Sequence, residues 1–268
     1  MMEYRIEDGI AHFVLNNGKM NVLTPNTYKT FYHCLKEFEI SRQARVGIFY
    51  GAGYENGRSF CAGDDIKNKY RPPRTRQQEL EAYLFLHQDE NEPSRPGWEE
   101  DVYRHRRYKP IVAAINGYCL GAGLACVLQH SDIRIATPSA KFGLPEVNFG
   151  AAGLSGVTRL AQHLAPADAA WMALTGEFID APHAEKIRLI NEVVPQHQLM
   201  DRALEIARLI ARHPPTAVRI EMEALEVGMN MDRYDAARFG QHLYKLHRTN
   251  YEGYGSEEGF FSKPAQNK

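Results

Sequence analysis

Apolar and polar positions change period several times along the chain, and each change marks an element. Ile10 to Asn16 alternates apolar with polar residues, the two-residue period of a half-buried strand. Thr24 precedes Pro25, a capping residue followed by a proline suited to the first helical position. The pattern therefore predicts a helix from Pro25 to about Ile40. A short strand follows from Arg45 to Tyr50 and ends at Gly51-Ala52-Gly53. Strand, strand and helix then recur around Ile111 to His130, and again from Asp132 to about Leu164. From His197 the helical period takes over. Leu199, Ala203, Ile206, Ala207 and Ile210 form one apolar stripe, which Pro214-Pro215 ends. Two more helices are expected, about Thr216–Gly228 and Asp232–Asn250.

Length allows one large domain or a domain with a helical appendage: 268 residues suffice for a sizeable single core. The segment Arg71 to Lys109 reads as an insertion, opening on Pro72-Pro73 and containing Pro93 and Pro96. Its cluster of Arg104, Arg106, Arg107 and Lys109 suggests a basic patch. However, eight basic residues there meet eight acidic ones, so a solvated helical lid is expected instead. The whole chain carries a formal net charge of −1, which gives no reason to expect nucleic acid or an anionic membrane as partner. Ile111 to Gln129 is long and uncharged, but Asn116 and three glycines interrupt it, so it reads as strand, turn and helix rather than a membrane span. The charged N-terminus lacks the apolar core of a signal peptide. Cys34, Cys61, Cys119 and Cys126 form no CxxC pair and sit among apolar or small residues, which suits reduced thiols in a cytoplasmic protein.

Candidate chemistry concentrates in three segments. Phe60-Cys61-Ala62-Gly63-Asp64-Asp65-Ile66-Lys67 and Asn116-Gly117-Tyr118-Cys119-Leu120-Gly121-Ala122-Gly123 each read as a strand entering a helix through a tight turn of small residues. Such a turn leaves backbone N–H groups free at a helix N-terminus. Two of them converging on one carbonyl oxygen make an oxyanion hole. The third segment is Phe142-Gly143-Leu144-Pro145-Glu146, which carries a carboxylate. No metal ligand set stands out: the eleven histidines form no HxxxH or HExxH pair, and no GxSxG elbow is present.

In this order and register the three segments resemble the signature of the crotonase superfamily, also called the enoyl-CoA hydratase/isomerase family. The likeness runs from Lys19-Met20-Asn21-Val22-Leu23 through Thr175-Gly176-Glu177 and Asn191-Glu192-Val193-Val194-Pro195, and fades after about Ser262. The resemblance implies an α/β fold: a crotonase-like spiral of repeated ββα units with an acyl-CoA site over residues 1–196, with 71–109 a variable helical insertion. A helical trimerisation region over 197–268 is also implied, making a homotrimer or a dimer of trimers. Read from its residues alone, that region fits a helical cap on the protein's own core equally well. The implied partner is an acyl-CoA thioester, with coenzyme A entering only as part of the substrate and no separate cofactor.

Residue by residue, the resemblance makes the backbone N–H groups of Asp64 and Ala122 the two oxyanion donors. Glu146 becomes the acid/base, with a carboxyl pKa that an apolar pocket would raise. Asp65, Ile66 and Lys67 match the stretch that contacts adenine and acyl-CoA, with Lys19 and Met20 on the other edge of that groove. Taken alone, Lys19 would be a solvated turn residue. Asp64 is a departure, since many members have alanine there; its carboxylate would repel an enolate unless it points away or is protonated. Its side chain is read as an N-cap for a following helix. Two-glutamate hydratases carry a second acid three positions after Ala122, and this chain has Ala125 there. The run Gly150-Ala151-Ala152-Gly153-Leu154-Ser155-Gly156 is one residue shorter than the usual loop, and Ser155 is read as a helix N-cap. One carboxylate suits proton transfer between carbons, so enoyl-CoA isomerisation is placed ahead of single-glutamate hydration. Thioester hydrolysis, decarboxylation and carbon–carbon cleavage stay open on the same scaffold. Ala125 also motivates a rival of another class, a non-catalytic scaffold or RNA-binding member.

Overall fold

The chain opens with a strand that its charges disguise. In β1 (Met2–Glu7) Met2, Tyr4 and Ile6 turn inward while Glu3, Arg5 and Glu7 stay exposed. Asp8 and Gly9, both at positive φ, turn it into β2 (Ile10–Leu15), with Glu7 opposite Ile10. Such a two-residue turn matches the twist of a hairpin. The structure, a computed structural model, describes residues 1–68, 70–85 and 89–250. After β2, α1 (Pro25–Ile40) starts where the capping pattern predicts, Thr24 Oγ1 accepting from Thr27 N–H.

Beyond the hairpin the main sheet is parallel. β3 (Val46–Gly51), β4 (Ile111–Ile115), β6 (Ile133–Ala136) and β9 (Glu192–Val193) extend it in the order β1-β2-β3-β4-β6-β9. Every residue of β2, β3 and β4 is buried, so β2 is not the half-buried strand its pattern suggests: the sheet is covered on both faces there. Phe13, Phe49 and Ala113 pack on one face with Phe31 and Leu35 of α1 and with Leu124 and Val127 of α4 (Ala122–His130). Val14, Ile48 and Val112 pack on the other, against Leu199, Ala203 and Ile206 of α8 (Leu199–Ala211).

That second face moves a boundary. The chain divides into two compact units at 211/212 rather than at 196/197, because the apolar stripe of α8 is needed to cover the sheet. The second unit contains α9 (Pro215–Gly228) and α10 (Arg233–Asn250), which pack on each other. Residues 251–268 of the expected C-terminal region lie outside the described residues.

A small sheet, β5-β7-β8, carries the turns of the spiral: β5 (Tyr118–Leu120), β7 (Lys141–Gly143) and β8 (Ile179–Asp180). β4, β5 and α4 form one ββα unit. β6, β7 and α5 (Leu154–His163) form the next, with a 3-10 turn at Pro145–Phe149 between strand and helix. The earlier turn departs from expectation. Cys61 pairs with Cys119 as an isolated bridge, and residues 65–68 directly after Asp64 are not helical.

The 71–109 segment is only partly a solvated lid. α2 (Arg76–Leu84) buries none of its residues, whereas α3 (Trp98–Arg104) anchors Trp98 and Val102 in the core beside α1. Two short helices, α6 (Pro166–Thr175) and α7 (Ala181–Lys186), flank β8. All four cysteines are buried and unpaired. Among the described residues no helix is long and apolar enough to cross a membrane.

Candidate active site

Two backbone turns meet at the end of the small sheet. Cys61 N–H donates to Tyr118 O (2.8 Å) and Leu120 N–H to Cys61 O (3.0 Å), fixing the 60s segment beside β5. One step on, Leu23 N–H donates to Gly63 O and Asp65 N–H to Leu23 O, each at 2.8 Å. In this parallel bridge the flanking residues make the bonds, so the N–H of Asp64 itself points away from Leu23. On the other side Gly121 sits at φ 52° and ψ −127°, a conformation reserved for glycine, and Ala122 begins α4. The first N–H of a helix has no partner within it. Among the described residues neither the Asp64 nor the Ala122 N–H donates a hydrogen bond. The turns touch: a Cβ on Gly63 would stand 3.0 Å from Leu120 O and 3.6 Å from Ala122 N.

Glu146 faces this junction from the 3-10 turn after β7. A Cβ on Gly121 would lie 3.0 Å from its Oε1 and 4.0 Å from Gly63 Cα, so the carboxyl sits against both turns. Among the described residues its Oε2 is buried without a hydrogen-bond partner. Burial raises the Glu146 pKa above the ordinary carboxyl value, and the like charge of Asp64 adds to the effect. The result is a carboxylate that binds a proton more readily than a solvated one, with one oxygen unused by the protein. Ala125 adds nothing polar. It is 4% exposed, and a Cβ on Gly156 would stand 3.3 Å from its own Cβ and 2.9 Å from Leu144 Cδ2. Ser155 is not an N-cap, since α5 starts at Leu154 with Gly153 in the capping position.

The Asp64 side chain does not cap a helix either, because the residues directly after it are not helical. Instead Arg95 grips it with both guanidinium ends, Nη1 to Oδ2 and Nη2 to Oδ1, each at 2.8 Å. Tyr28 OH donates to Oδ1 at 2.8 Å. Tyr28 OH lies 3.3 Å from Tyr103 OH, and Tyr103 OH lies 3.5 Å from the Ala122 carbonyl. With the Tyr28 proton given to Asp64, the single Tyr103 proton goes either to Tyr28 or to the Ala122 carbonyl, so the two hydroxyls lie between the candidate donor residues without linking them in one continuous chain. Burial would lower the Arg95 pKa, but the Asp64 carboxylate more than offsets it and holds the guanidinium above its usual range. Burial pushes both tyrosine hydroxyls upward, so they remain donors. None of Tyr28, Arg95 and Tyr103 stands out in the sequence. Their only signal is indirect: an acid at position 64 needs a partner.

Comparison with known proteins identifies the family. The family model described as enoyl-CoA hydratase/isomerase matches residues 5–253. The chain belongs to the enoyl-CoA hydratase/isomerase family. It is 35% identical to (E)-benzylidenesuccinyl-CoA hydratase of Thauera aromatica over 228 residues, covering 84% of this chain and 82% of that one. Over 201 residues it is 40% identical to mevalonyl-coenzyme A hydratase sidH of Aspergillus fumigatus, covering 75% and 68%. Among solved structures, an enoyl-CoA hydratase from Bacillus anthracis superposes with a TM-score of 0.76 at 29% identity, over 91% of this chain and 89% of that one.

The residues matched to this family's CoA groove fall next to one another. Ser59 N–H donates to Lys19 O (3.3 Å) and Ala62 N–H to Met20 O (2.9 Å), which sets the Lys19–Met20 turn along the 60s segment. Lys19 is exposed and Met20 half-buried. Ile66 is 80% exposed, and Lys67 is exposed beside it. Asp65 is occupied locally: Lys67 N–H, Asn68 Nδ2 and Tyr70 OH all donate to its carboxylate, at 3.1, 2.6 and 2.7 Å. The Tyr70 bond is the main reason its pKa falls below the ordinary value. Asp65 therefore shapes the loop that presents Ile66 and Lys67.

Proposed function

We propose that this enoyl-CoA hydratase/isomerase family member adds water to a 2-enoyl-CoA thioester with Glu146 as its single acid/base. The observation that carries the reading is one juxtaposition. Two turns with unused N–H groups, at Asp64 and Ala122, meet beside a buried carboxylate oxygen that has no partner among the described residues. In this scheme the thioester oxygen accepts from both N–H groups, which stabilises charge as it develops. Glu146 takes a proton from water while the water oxygen bonds to C3, and the electron pair of the double bond moves onto the thioester oxygen. The enolate then collapses and takes that proton from Glu146 at C2. Lys19, Met20, Ile66 and Lys67 would line the coenzyme A portion, the lysines serving as point charges for phosphate.

Hydration takes the place that the sequence alone gave to isomerisation because relatives covering most of the chain are named hydratases. Isomerisation stays as the second reading, favoured by the apolar surroundings of Ala125. Comparison of initial rates decides between them. Wild-type protein is expected to hydrate a 2-enoyl-CoA faster than it converts the 3-enoyl isomer of equal chain length. The opposite order restores the isomerase.

A homotrimer or dimer of trimers is the proposed assembly. Its support is that α9 buries none of its residues, leaving Leu225 exposed, with Met229 exposed just past its end. Light scattering at micromolar concentration is expected to give three or six times the chain mass; a stable monomer refutes the assembly.

A further inference from the structure

Asp64 poses a problem for the proposed chemistry, since its carboxylate shares a residue with an N–H meant to stabilise negative charge. Arg95, delivered by the segment before α3, meets that carboxylate end-on at 2.8 Å through both terminal nitrogens. Its guanidinium also lies over the Tyr28 ring, 5.7 Å from the centroid. The pair is largely withdrawn from water, with the Arg95 side chain 19% and the Asp64 side chain 32% exposed. A bidentate ion pair of this kind is both strong and directional.

We infer that Arg95 is a positioning residue that neutralises Asp64 and thereby makes an acidic residue compatible with an oxyanion donor. The inference rests on the proposed role of the Asp64 and Ala122 N–H groups. Two consequences follow from the geometry. First, the acid is turned from liability to anchor: the Arg95 ion pair and the Tyr28 hydroxyl together fix the Asp64 residue beside the Ala122 turn. Second, the segment 71–109 contributes to the electrostatics of the site and does more than cover it.

The charged and titratable groups around Asp64 are Tyr28 from α1, Arg95 from the segment before α3, Glu99 and Tyr103 from α3, Cys126 from α4, Cys61 on its own segment and Glu146 across the junction. Arg95 is the one cation among them. Removing it leaves Asp64 uncompensated next to Glu146 and to the developing enolate.

The test uses the full chain and four variants: Arg95→Gln, Asp64→Asn, the double variant and Arg95→Lys. Arg95→Gln is expected to lower kcat roughly 10- to 100-fold, the size of one uncompensated charge near a partly buried centre. The acid limb of its kcat profile, which reports Glu146, should move to higher pH. Asp64→Asn removes the like charge and leaves Arg95, so that limb should move to lower pH. The double variant should recover most of the kcat lost in Arg95→Gln, and Arg95→Lys should fall between wild type and Arg95→Gln.

Binding of acetoacetyl-CoA, whose enolate is followed by ultraviolet absorbance, reads the same effect without turnover. Its enolate form should be depleted in Arg95→Gln and restored in the double variant. A double variant as impaired as Arg95→Gln, or an Arg95→Gln protein with unmoved kcat, pH profile and enolate content, overturns the inference. Should Arg95→Gln not fold, an Asp64→Asn limb that stays in place overturns it equally. A wild-type protein that never enriches the enolate instead overturns the proposed oxyanion site itself.

Discussion

Replacing Glu146 by glutamine is expected to cut kcat by roughly two to four orders of magnitude, the usual worth of a positioned acid/base. The variant should bind acyl-CoA nearly as well as wild type, since the Glu146 carboxyl makes no hydrogen bond that shapes the CoA groove. It should also be at least as stable at neutral pH. Burial raises the pKa of Glu146 in the folded chain, so the native state holds its proton to a higher pH than the unfolded state. Folding stability therefore declines as pH rises from the unfolded pKa through the folded one, and a cost remains above both. Glutamine has no charge to bury and lacks that cost. Steady-state kinetics, calorimetric titration with an acyl-CoA and thermal melts at two pH values check the three parts. Most of the activity surviving in Glu146→Gln would falsify the assignment of proton transfer.

Gly121→Ala is expected to be nearly as damaging, for a different reason. The residue sits at φ 52° and ψ −127°, and a Cβ there would stand 3.0 Å from Glu146 Oε1. Backbone strain of this kind costs on the order of 1–3 kcal/mol, and relief would require moving either the acid/base or the first turn of α4. Turnover should fall at least tenfold and, through misplacement of the Ala122 N–H, toward the roughly 10²- to 10³-fold typical of a lost oxyanion donor. Gly150→Ala provides the control. It sits at φ 70° and ψ 18°, the left-handed well that other residues sometimes enter, and an added Cβ would meet nothing within 4 Å, so it carries a smaller backbone cost and no collision. Equal loss of activity in the two variants would show that the Gly121 turn has no special part in the site.

Much of this arrangement was legible in the residues because it rests on local rules. Thr24-Pro25 marks a helix start, the β-branched run at 111–115 a buried strand, and Gly121 a turn that only glycine makes. The positions of Glu146, Asp64 and Ala122 came from the family resemblance, and the structure brings all three together. What was not legible depended on contacts between distant segments. Arg95 lies thirty-one residues after Asp64, in a segment whose overall charge balances, and nothing local distinguishes it from its solvated neighbours. The N-cap reading of Asp64 failed because it assumed a helix, whereas the segment after Gly63 follows Leu23 as an extended bridge. β1 was hidden by its charges, since an edge strand needs only one face apolar. The stripe on α8 was visible, but its destination was not, because periodicity identifies an apolar face without naming its partner.

The bridge between Cys61 and Cys119 closes a loop that contains the entire 71–109 segment. For a flexible loop the entropy of closure grows only with the logarithm of length, so doubling it costs about 0.6 kcal/mol. Lengthening or trimming α2, which buries nothing, is therefore thermodynamically cheap, while the Gly63 and Gly121 turns stay clamped at the ends of the loop. The architecture separates what can drift over generations from what must stay: the exposed part of the lid is free to be rewritten, and the short stretch from Arg95 to Tyr103 is not.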